Sequence, residues 1–478
     1  MFIGRRRELA QLEKLKRKGT ASLVCLMGRR RIGKSTLVSE FGKTFSHFVC
    51  IQGLGPDERV TLRDQLDHFS EKLSEHFDTK TKYFESWTDA LTDLANKTSK
   101  GRYLILLDEI SWMAKGDPLF PLRVKDIWDT KLKKNNDLML VLCGSVSAWI
   151  EENILKNASF EGRISLEIAL EELKLPEIQE FLSQRKFQMG SFEILQILAV
   201  TGGVPKYLEE VLSGQSAEQN LIRLCYERQG LLFNDFDKIF VDIFGRKSKT
   251  LEKIVRHCLE KKLTPSQLAG ELKMDQNSDL TEAIHILELS GFLSRDYYFH
   301  PAGKPSKLSQ LRIKDNYLRF YLKFIEPRKK HILNGGKVIQ SLGDLKGWPA
   351  IMGLQFENII LQNRDLILRN LGIVDGQVVS AAPYVQRKKS TNSGACQVDL
   401  LIHTDLDVFY LCEFKCRKEI DSGVIEEVKK KSAVLQLPRR SSLKTVLIFE
   451  GEMSNKSFDL ATEYFYKMIP FESLLTQN

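Results

Sequence analysis

The sequence predicts an α/β protein of several domains, and three observations carry this prediction. Short apolar segments alternate with amphipathic helical segments over residues 1–150, which is the rhythm of a parallel sheet. A glycine-containing GxxxxGKS loop follows the first of these apolar segments, at residues 28–35. Strand and helix patterns return after residue 349, so a second α/β domain is expected near the C-terminal end.

The bulk composition is that of an ordinary globular protein with enough chain to bury several cores. Of its 478 residues, 42% are apolar and 28% are charged. The formal charge of +9 mildly favours binding of polyanions such as nucleotides or nucleic acid, although solvated lysines alone could produce it. We find no apolar signal region and no run of about 18 apolar residues, so a cytoplasmic protein without a membrane partner is expected.

Eight cysteines are scattered along the chain, and no two of them form a CxxC pair, which disfavours a zinc site. Most lie in apolar surroundings and are interpreted as buried free thiols of a protein in a reducing compartment. They are Cys25, Cys50, Cys143, Cys225, Cys258, Cys396, Cys412 and Cys416.

Residues 28–35 match the Walker A pattern GxxxxGK[ST] between a predicted strand at 22–27 and a predicted helix. This context points backbone N–H groups and a helix N-terminus at phosphates, which a simple glycine-bearing turn would not do. Lys34 is expected to reach the β- and γ-phosphates of ATP, Ser35 to ligate Mg²⁺, and Thr36 to lie near the α-phosphate. The remaining loop residues that would surround the phosphates are Gly28, Arg29, Arg30, Arg31, Ile32 and Gly33.

A second apolar strand, predicted at 103–107, ends in Asp108 and Glu109, which is the Walker B arrangement. Asp108 is expected to hold Mg²⁺ through water, and Glu109 to polarise the attacking water. The alternative is a strand that merely ends in acidic turn residues. The P-loop at a suitable distance favours the catalytic interpretation.

Two further polar positions each keep two interpretations. Ser145 follows a strand predicted at 138–143 and could sense the γ-phosphate, or Ser145 or Ser147 could simply cap the next helix. Arg163 could act as an arginine finger on the nucleotide, within this chain or for a neighbouring subunit. It could equally form an ordinary surface ion pair.

Together these motifs resemble the archaeal-type ATPase family, a member of the STAND class of NTPases related to AAA+ proteins. The resemblance covers roughly residues 1–330. The residues that match the family are 2–9, 28–36, 108–109, 144–145, 162–163 and 201–205. It implies that residues 2–9 lie on the adenine side and that Pro205, in a helical lid, packs near the adenine or ribose. A plain helix break is the other interpretation of residues 202–205, and both can hold together.

Residues 248–300 resemble a winged helix, with a proline-initiated helix after Thr264, a second helix at about 278–290 and a hairpin from 291–293 and 297–299. In DNA-binding versions the second helix enters the major groove. DNA contact and a structural or regulatory role both stay open, because the exposed face carries two carboxylates and no arginine. The residues of that face are Ser278, Asp279, Thr281, Glu282 and His285.

Charged residues interrupt two apolar strands predicted near 397–403 and 407–416. Asp399 lies on the first, and Glu413 and Lys415 share one face of the second, since side chains alternate along a strand. Charges in such apolar strands are costly unless they are paired or bound to metal. Glu357 lies upstream on a helix predicted near 350–370.

This set resembles the PD-(D/E)XK nuclease superfamily, although Val398 stands where the superfamily has proline. The resemblance implies that Asp399 and Glu413 bind Mg²⁺ and that Lys415 positions or activates water, with Glu357 as a further catalytic residue. A structural Glu–Lys pair is the alternative. Basic residues that could face phosphate are Arg387, Lys388, Lys389, Lys429, Lys430, Lys431, Arg439 and Arg440.

The expected architecture joins a parallel-sheet P-loop NTPase of AAA+-like type to a restriction-endonuclease-like domain. Its domains are an ATPase core at 1–165, a helical lid at 166–245, a winged helix at 246–303, a linker at 304–348 and a nuclease-like domain at 349–478. In one hypothesis, ATP and Mg²⁺ control DNA cleavage by the last domain. In another, nucleotide state drives a switch whose last domain only binds nucleic acid or a partner. A small-molecule kinase would leave the extra domains without a use, and a homo-oligomer is compatible with either hypothesis.

Overall fold

The computed structural model describes most of the chain and divides it into two compact units. Unit 1 comprises Met1–Glu172, Ile239–Arg246 and His285–Gly291, and unit 2 comprises the remaining segments. Among the helices described, none combines the length and apolar character needed to cross a membrane. The described residues are 2–55, 57, 59–145, 147–244, 248–259, 261–274, 277–299, 305–336, 339–386 and 394–476.

Unit 1 is built on a five-stranded parallel sheet in the order β2-β3-β4-β1-β5. Its three central strands are buried along nearly their whole length, as expected for a parallel sheet covered on both faces. The strands that the sequence predicts at 22–27, 48–52, 103–107 and 138–143 are confirmed. The strands are β1 Ser22–Met27, β2 His47–Gln52, β3 Tyr103–Asp108, β4 Leu138–Gly144 and β5 Ile164–Ala169.

Strand β5 corrects the prediction that residues 166–245 are helical throughout. It is an edge strand that pairs only with β1, and its exposure alternates from residue to residue over most of its length. A half-exposed edge strand carries a weaker apolar signal than the buried central strands, which is why it was missed. The first α/β unit therefore runs to Glu172 rather than to residue 165.

Helices connect these strands and enclose an apolar core in which Trp87 lies 4.7 Å, centroid to centroid, from Phe120. Two of them begin with side-chain caps, since Thr61 accepts a hydrogen bond from the amide of Asp64 and Ser86 from that of Asp89. The helices are α1 Arg6–Lys16, α2 Lys34–Gly42, α3 Leu62–Phe77, α4 Trp87–Lys97, α5 Ile110–Met113, α6 Phe120–Thr130 and α7 Ser147–Ile150.

A run of helices follows Glu172, as the sequence predicts for most of this segment. Gly202 and Gly203 adopt φ of 64° and 80°, and Pro205 begins the next helix, so the predicted helix break is confirmed. The helices are α8 Leu175–Gln184, α9 Ser191–Thr201, α10 Pro205–Glu209, α11 Ala217–Tyr226, α12 Leu231–Phe244, α13 Ser248–His257, α14 Pro265–Leu272 and α15 Ser278–Leu289.

The hairpin after these helices differs from the predicted one. Strand β6 spans Leu293–Phe299 as a single strand, and its antiparallel partner is β7, Pro305–Ile313, from the predicted linker. Residues 304–348 are thus not a plain linker, because α16 Asn316–Phe320 and α17 Glu326–Leu333 also lie there. The aromatic side chains of α16, Tyr317 and Phe320, are buried. Residues 326–348 are basic and contain glycine, and this composition favours a linker. The buried apolar residues of the segment lie mostly before residue 326.

The C-terminal part of unit 2 contains a mixed sheet in the order β12-β11-β10-β9-β8. Strands β10, β11 and β12 run parallel, and β9 runs antiparallel to both of its neighbours. The strands that the sequence predicts near 397–403, 407–416 and 445–450 are confirmed as β9, β10 and β11, whereas β8 and β12 were not predicted. The elements are α18 Trp348–Gln362, α19 Arg364–Asn370, β8 Val378–Gln386, β9 Cys396–Thr404, β10 Val408–Glu419, α20 Gly423–Val434, β11 Ser442–Glu452, α21 Asn455–Tyr464, β12 Lys467–Pro470 and α22 Phe471–Leu475.

All eight cysteines are free thiols, as predicted. Five of them are buried: Cys25, Cys143, Cys225, Cys258 and Cys412. Burial raises the pKa of the Cys25 thiol to about 12, so it stays protonated at neutral pH. The five buried cysteines therefore act as small apolar residues of the cores.

Candidate functional site

The P-loop lies between β1 and α2 and has the backbone geometry that its glycines permit. Gly33, with φ of 89°, directly precedes the first turn of α2. A side chain at Gly28 would place its Cβ 2.5 Å from the carbonyl oxygen of Leu170, so only glycine fits there. Arg31 also adopts a left-handed conformation with φ of 69°, which is strained for a residue with a side chain and is typical of functional loops.

Lys34 is buried, and its ammonium group lies inside the loop. Its Nζ donates to the carbonyl oxygens of Gly28 and Arg29, at 3.0 and 3.2 Å. These weak neutral acceptors keep the ammonium group among the loop atoms. A phosphate oxygen is a stronger acceptor, so the lysine is placed to exchange these bonds for bonds to a nucleotide.

Three arginines fasten the loop to its surroundings. Arg5, from the opening segment, is buried and donates from Nη2 to the carbonyl oxygen of Ile32 at 2.9 Å. Arg29 forms a buried ion pair with Glu172 at 3.4 Å, and the Arg30 guanidinium lies 5.5 Å from the ring centroid of Trp112. The pairing with Glu172 depends on β5 and could not be read from the sequence.

The Walker B strand meets the P-loop directly. Strand β4 lies between β1 and β3, and all three strands run parallel. The loops that follow them therefore emerge at the same edge of the sheet. There the hydroxyl of Ser35 donates to Oδ2 of Asp108 at 2.6 Å. A hydroxyl beside a carboxylate is a hard-oxygen donor set that fits Mg²⁺, which keeps several waters and needs few protein ligands. Thr36 is exposed on the first turn of α2.

Glu109 is held by Ser145. Its Oε2 accepts hydrogen bonds from the backbone amide and the hydroxyl of Ser145, at 3.0 and 2.8 Å. Both residues are buried. The Ser145 hydroxyl therefore bonds the carboxylate of Glu109, and it orients the group predicted to polarise water.

Arg163 lies at the opposite edge of the sheet from the P-loop, which corrects its assignment as an arginine finger within this chain. It directly precedes β5, whose first residue, Ile164, pairs with the start of β1. The P-loop follows the end of β1, about 20 Å away at roughly 3.3 Å per residue. Arg163 instead binds Asp129, with Nε 2.8 Å from Oδ2. A finger offered to a neighbouring subunit stays a prediction.

Two further contacts are predicted away from the sheet of unit 1: Pro205 with the nucleotide, and helix α15 with DNA. Pro205 is the first residue of α10, and its place near adenine or ribose stays a prediction. On α15 the predicted exposed face is present, except that His285 is half-buried and lies 2.6 Å from Oε2 of Glu151. The winged-helix assignment and DNA contact by this helix also stay predictions.

A cluster of charges in unit 2 surrounds Glu413 of β10. The face of this strand that packs Phe409 and Leu411 against α20 continues with Glu413 and Lys415. Lys415 donates to Oε1 of Glu413 at 2.8 Å, which agrees with the predicted shared face. Lys431 of α20 donates to both oxygens of Glu413, at 2.8 and 2.7 Å.

The cluster extends to a second glutamate that sequence reasoning did not single out. Glu427 of α20 accepts from Lys415 at 2.8 Å and lies 3.4 Å from Lys431. Although burial raises the pKa of Glu427, its bond with Lys415 and the charge of Lys431 lower it to about 2. Lys431 was predicted to face phosphate, and the structure turns it inward to Glu413 instead. The spacing of Glu427 and Lys431, one helical turn apart, was the available signal.

Asp399 of β9 lies beside this cluster. Its Oδ2 accepts a hydrogen bond from the backbone amide of Phe414 at 2.8 Å. Burial, followed by the negative charges of Glu413 and Glu357, raises the pKa of Asp399 to about 7. The structure thus brings the predicted set into electrostatic range of one another, and Asp399 is the member that gains or loses a proton near neutral pH.

Glu357 takes part in a different ion pair. It lies on α18, and its carboxylate binds the ammonium group of Lys262, which the sequence did not link to it. Of the basic residues predicted to face phosphate, Lys429, Lys430, Arg439 and Arg440 are exposed. Arg387, Lys388 and Lys389 lie outside the described residues.

Magnesium fits the two predicted sites differently. Among the residues that the structure describes, no three His, Cys, Asp or Glu side chains are grouped to hold a metal ion. The Ser35–Asp108 pair does not need such a group, since Mg²⁺ is commonly held by one or two protein oxygens with water and phosphate. At Glu413 both oxygens are bound by lysine, so a metal would have to displace Lys431, and this arrangement does not fit a resident metal ion.

Comparisons with known proteins agree with the nucleotide site. The family model described as an ATPase domain predominantly from Archaea matches residues 2–211. An uncharacterised protein of Methanocaldococcus jannaschii, MJECL04, is 25% identical over 371 residues, which is 75% of this chain and 76% of that protein.

Two solved structures show a distant likeness. The Walker-type ATPase PABY2304 of Pyrococcus abyssi is 15% identical, with 68% of this chain and 96% of that chain covered at a TM-score of 0.48. The ORC2 protein of Aeropyrum pernix, in ADPNP–ADP complexes, is 14% identical, with 70% and 94% covered at a TM-score of 0.41. Residues 2–211 are thus similar to an archaeal ATPase domain, and the geometry of the P-loop agrees with this similarity.

Proposed function

We propose that this protein binds and hydrolyses ATP with Mg²⁺ as a STAND-like, AAA+-related ATPase whose nucleotide state controls a C-terminal, nuclease-like domain acting on DNA. The observation that carries the ATPase half is the Ser35–Asp108 contact, with Glu109 held by Ser145 next to it. These side chains hold the metal position and the water-polarising carboxylate ready before nucleotide arrives. When bound, Mg²⁺ would neutralise charge on the β- and γ-phosphates.

Within this proposal each P-loop residue has a role in binding. Lys34 exchanges its bonds to the carbonyls of Gly28 and Arg29 for bonds to phosphate. Arg5 holds the backbone at Ile32, and Pro205 contributes to the adenine side. Hydrolysis then depends on Glu109, which orients water through the oxygen that Ser145 does not bind.

The C-terminal half of the proposal is supported by the buried Glu413 and the partly buried Asp399 and Lys415, which lie on adjacent strands. Charges are expensive there, so their presence favours a chemical role. Lys415 stays cationic because the Glu413 and Glu427 charges outweigh its burial and raise its pKa. Its ammonium group could therefore stabilise negative charge on phosphate.

A second candidate is a nucleotide-driven switch whose last domain binds DNA or a partner without cleaving it. One observation favours it: the two lysines already neutralise Glu413, as in a structural ion-pair network. In that case the exposed Lys429, Lys430, Arg439 and Arg440 would carry the contacts to a polyanion.

The experiment that separates these candidates measures DNA cleavage by the full-length protein. Single-stranded, duplex and branched DNA are incubated with Mg²⁺, with and without ATP, and the products are separated by size. An active nuclease should cut the DNA, and Asp399→Ala should abolish cutting. Asp405→Ala, at an exposed residue in the turn after β9, is the matched control and should cut normally.

The control by nucleotide is tested in the same assay. Lys34→Ala should make cleavage independent of added ATP, because this variant cannot hold the phosphates. Cutting that persists in Asp399→Ala would remove the nuclease assignment. DNA binding without any cutting, unaffected by Asp399→Ala, would leave the switch as the better account.

A further inference from the structure

Unit 2 contains a polar cavity of about 280 Å³, which the steps described above do not use. This volume is near the lower end of ordinary small-ligand pockets, which start at about 300 Å³. Its charged lining is mostly positive. The charged residues that line it are Lys261, Lys262, Arg312, Arg319 and Glu357.

Three of the four cations have a carboxylate partner. Lys261 pairs with Glu271, and Lys262 with Glu357. Arg312 pairs with Asp296, with Nε 2.7 Å from Oδ2. Among the described residues Glu357 is the only carboxylate that lines the cavity, and its ion pair is with Lys262, so the fourth cation has no ion pair of its own with the described lining.

Arg319 is that fourth cation, and it is only 4% exposed. Its Nη1 donates to Oε1 of Gln355 at 2.7 Å, and its Nη2 donates to the carbonyl oxygen of Ile313 at 3.0 Å. Its Nε has no hydrogen-bond acceptor among the described residues. A guanidinium carries five N–H groups, so three of them are unused here.

A buried cation with only neutral acceptors is costly. Burial and the neighbouring charge of Arg312 lower the pKa of Arg319 to about 10, and the charges of Glu357 and Asp315 oppose this only in part, so the group is still charged at neutral pH. The cost would be offset if an anion entered the cavity and accepted the unused N–H groups. Arg312 offers further donors to such an anion. Its Nη1 and Nη2 each bind one neutral acceptor, and each keeps a second N–H.

We propose that this cavity binds a phosphate monoester, with Arg319 and Arg312 as the groups that recognise its oxygens. Two guanidinium groups offer several N–H donors in a fixed geometry, and such groups favour phosphate. Gln310 and Gln397 supply neutral polar groups at the wall. The phosphate could belong to a DNA 5′-end or to a free nucleoside monophosphate.

The DNA form of this inference rests on the proposed function. Glu357 lines the cavity, and its charge acts on Asp399. Gln397 also lines the cavity and lies two residues before Asp399 on β9, hence on the same face. A strand whose 5′-phosphate occupies the cavity would thus have its end beside the Asp399–Glu413 cluster.

The test uses the full-length protein with Lys34→Ala, so that the P-loop does not contribute to phosphate binding. An oligonucleotide with a 5′-phosphate is compared with the same oligonucleotide with a 5′-hydroxyl, and adenosine monophosphate is compared with adenosine. We expect about tenfold tighter binding of at least one phosphorylated probe, since a charge-assisted contact of this kind contributes about 1.4 kcal/mol. Which pair shows the difference identifies the source of the phosphate. Equal affinities within both pairs would overturn the proposal.

Two variants locate the binding. Arg319→Met should abolish the preference for phosphate, but Arg319 also bonds Ile313 and Gln355, so its folding must be checked. Gln397→Glu changes an exposed residue of the cavity wall and should weaken binding of the phosphorylated probe about tenfold by repulsion. Gln188→Glu, at an exposed residue outside the cavity lining, is the matched control and should bind normally.

These outcomes are separable from those of the nuclease assay. If Gln397→Glu binds the phosphorylated probe as well as the parent does, the cavity is not the site, whatever the cleavage result. If the phosphate preference follows Arg319 and Gln397 while no DNA is cut, the nuclease assignment fails and the cavity assignment stands.

Discussion

Ser35 and Asp108 lie 73 positions apart in the chain and share a 2.6 Å hydrogen bond at one edge of the parallel sheet. The contact forms because β1, β4 and β3 run parallel, so the loops after β1 and β3 emerge at the same edge of the sheet. The two oxygen groups proposed to hold Mg²⁺ are therefore adjacent in the folded chain. The predictions for the ATPase domain follow from this arrangement.

Replacing Lys34 with alanine should weaken ATP binding at least about tenfold, because a charge-assisted contact to phosphate is lost. The fold should be unaffected, since the lysine bonds only two carbonyls of its own loop. Equilibrium binding of a fluorescent ATP analogue measures the change. Lys43→Ala is the control, as Lys43 is exposed and pairs only with Glu40. Unchanged affinity in Lys34→Ala would contradict the assigned role.

Replacing Glu109 with glutamine should preserve ATP binding and lower the hydrolysis rate by roughly 10²–10⁴-fold, because the amide cannot polarise water as the carboxylate does. The amide oxygen can still accept the two bonds from Ser145. Phosphate release under single-turnover conditions measures the rate. Ser145→Ala should have a smaller effect in the same direction. A Glu109→Gln protein that hydrolyses ATP at the normal rate would assign the water-polarising role elsewhere.

Replacing Asp399 with asparagine should stabilise unit 2 at pH 8 more than at pH 5. The pKa of this carboxyl is about 7 in the folded protein and 3.8 ordinarily, so the folded state binds more protons between these values. Stability then falls as pH rises through this window, by about 1.4 kcal/mol for each pH unit, which amounts to roughly 3 kcal/mol between pH 5 and pH 8. Asparagine keeps an acceptor for the Phe414 amide and removes the titration.

Chemical denaturation at pH 5 and pH 8 measures this difference, with Asp405→Asn as the matched exposed control. Equal stabilisation of the Asp399→Asn variant at the two pH values would show that the carboxyl does not titrate in this window.

Replacing Arg163 with alanine should leave ATP hydrolysis by the isolated protein unchanged, because Arg163 lies at the far edge of the sheet from the P-loop. The stability loss should stay below about 1 kcal/mol, since Lys125 and Lys133 also pair with Asp129. Hydrolysis rates over a range of protein concentrations measure the effect. A defect that appears only at high concentration would instead support a finger acting on a neighbouring subunit.

The predictions that succeeded rest on local patterns. The strand–loop–helix context of residues 28–35 and the apolar run before Asp108 were sufficient, because short spacing rules describe both features. Edge strand β5 and the hairpin partner β7 were missed. In β5 exposed and half-buried residues alternate, which weakens the apolar signal. Strand β7 lies in a segment for which the sequence predicts a linker.

The sequence by itself determined the P-loop, its Walker B partner and the charged residues of β9 and β10, since each needs only neighbouring positions and strand alternation. Only the tertiary structure decided what these groups meet. It placed Arg163 against Asp129, turned Lys431 onto Glu413, paired Lys262 with Glu357 and left Arg319 in a cavity wall. These contacts join residues far apart in the chain, and they follow from strand order and packing, which no local spacing rule encodes.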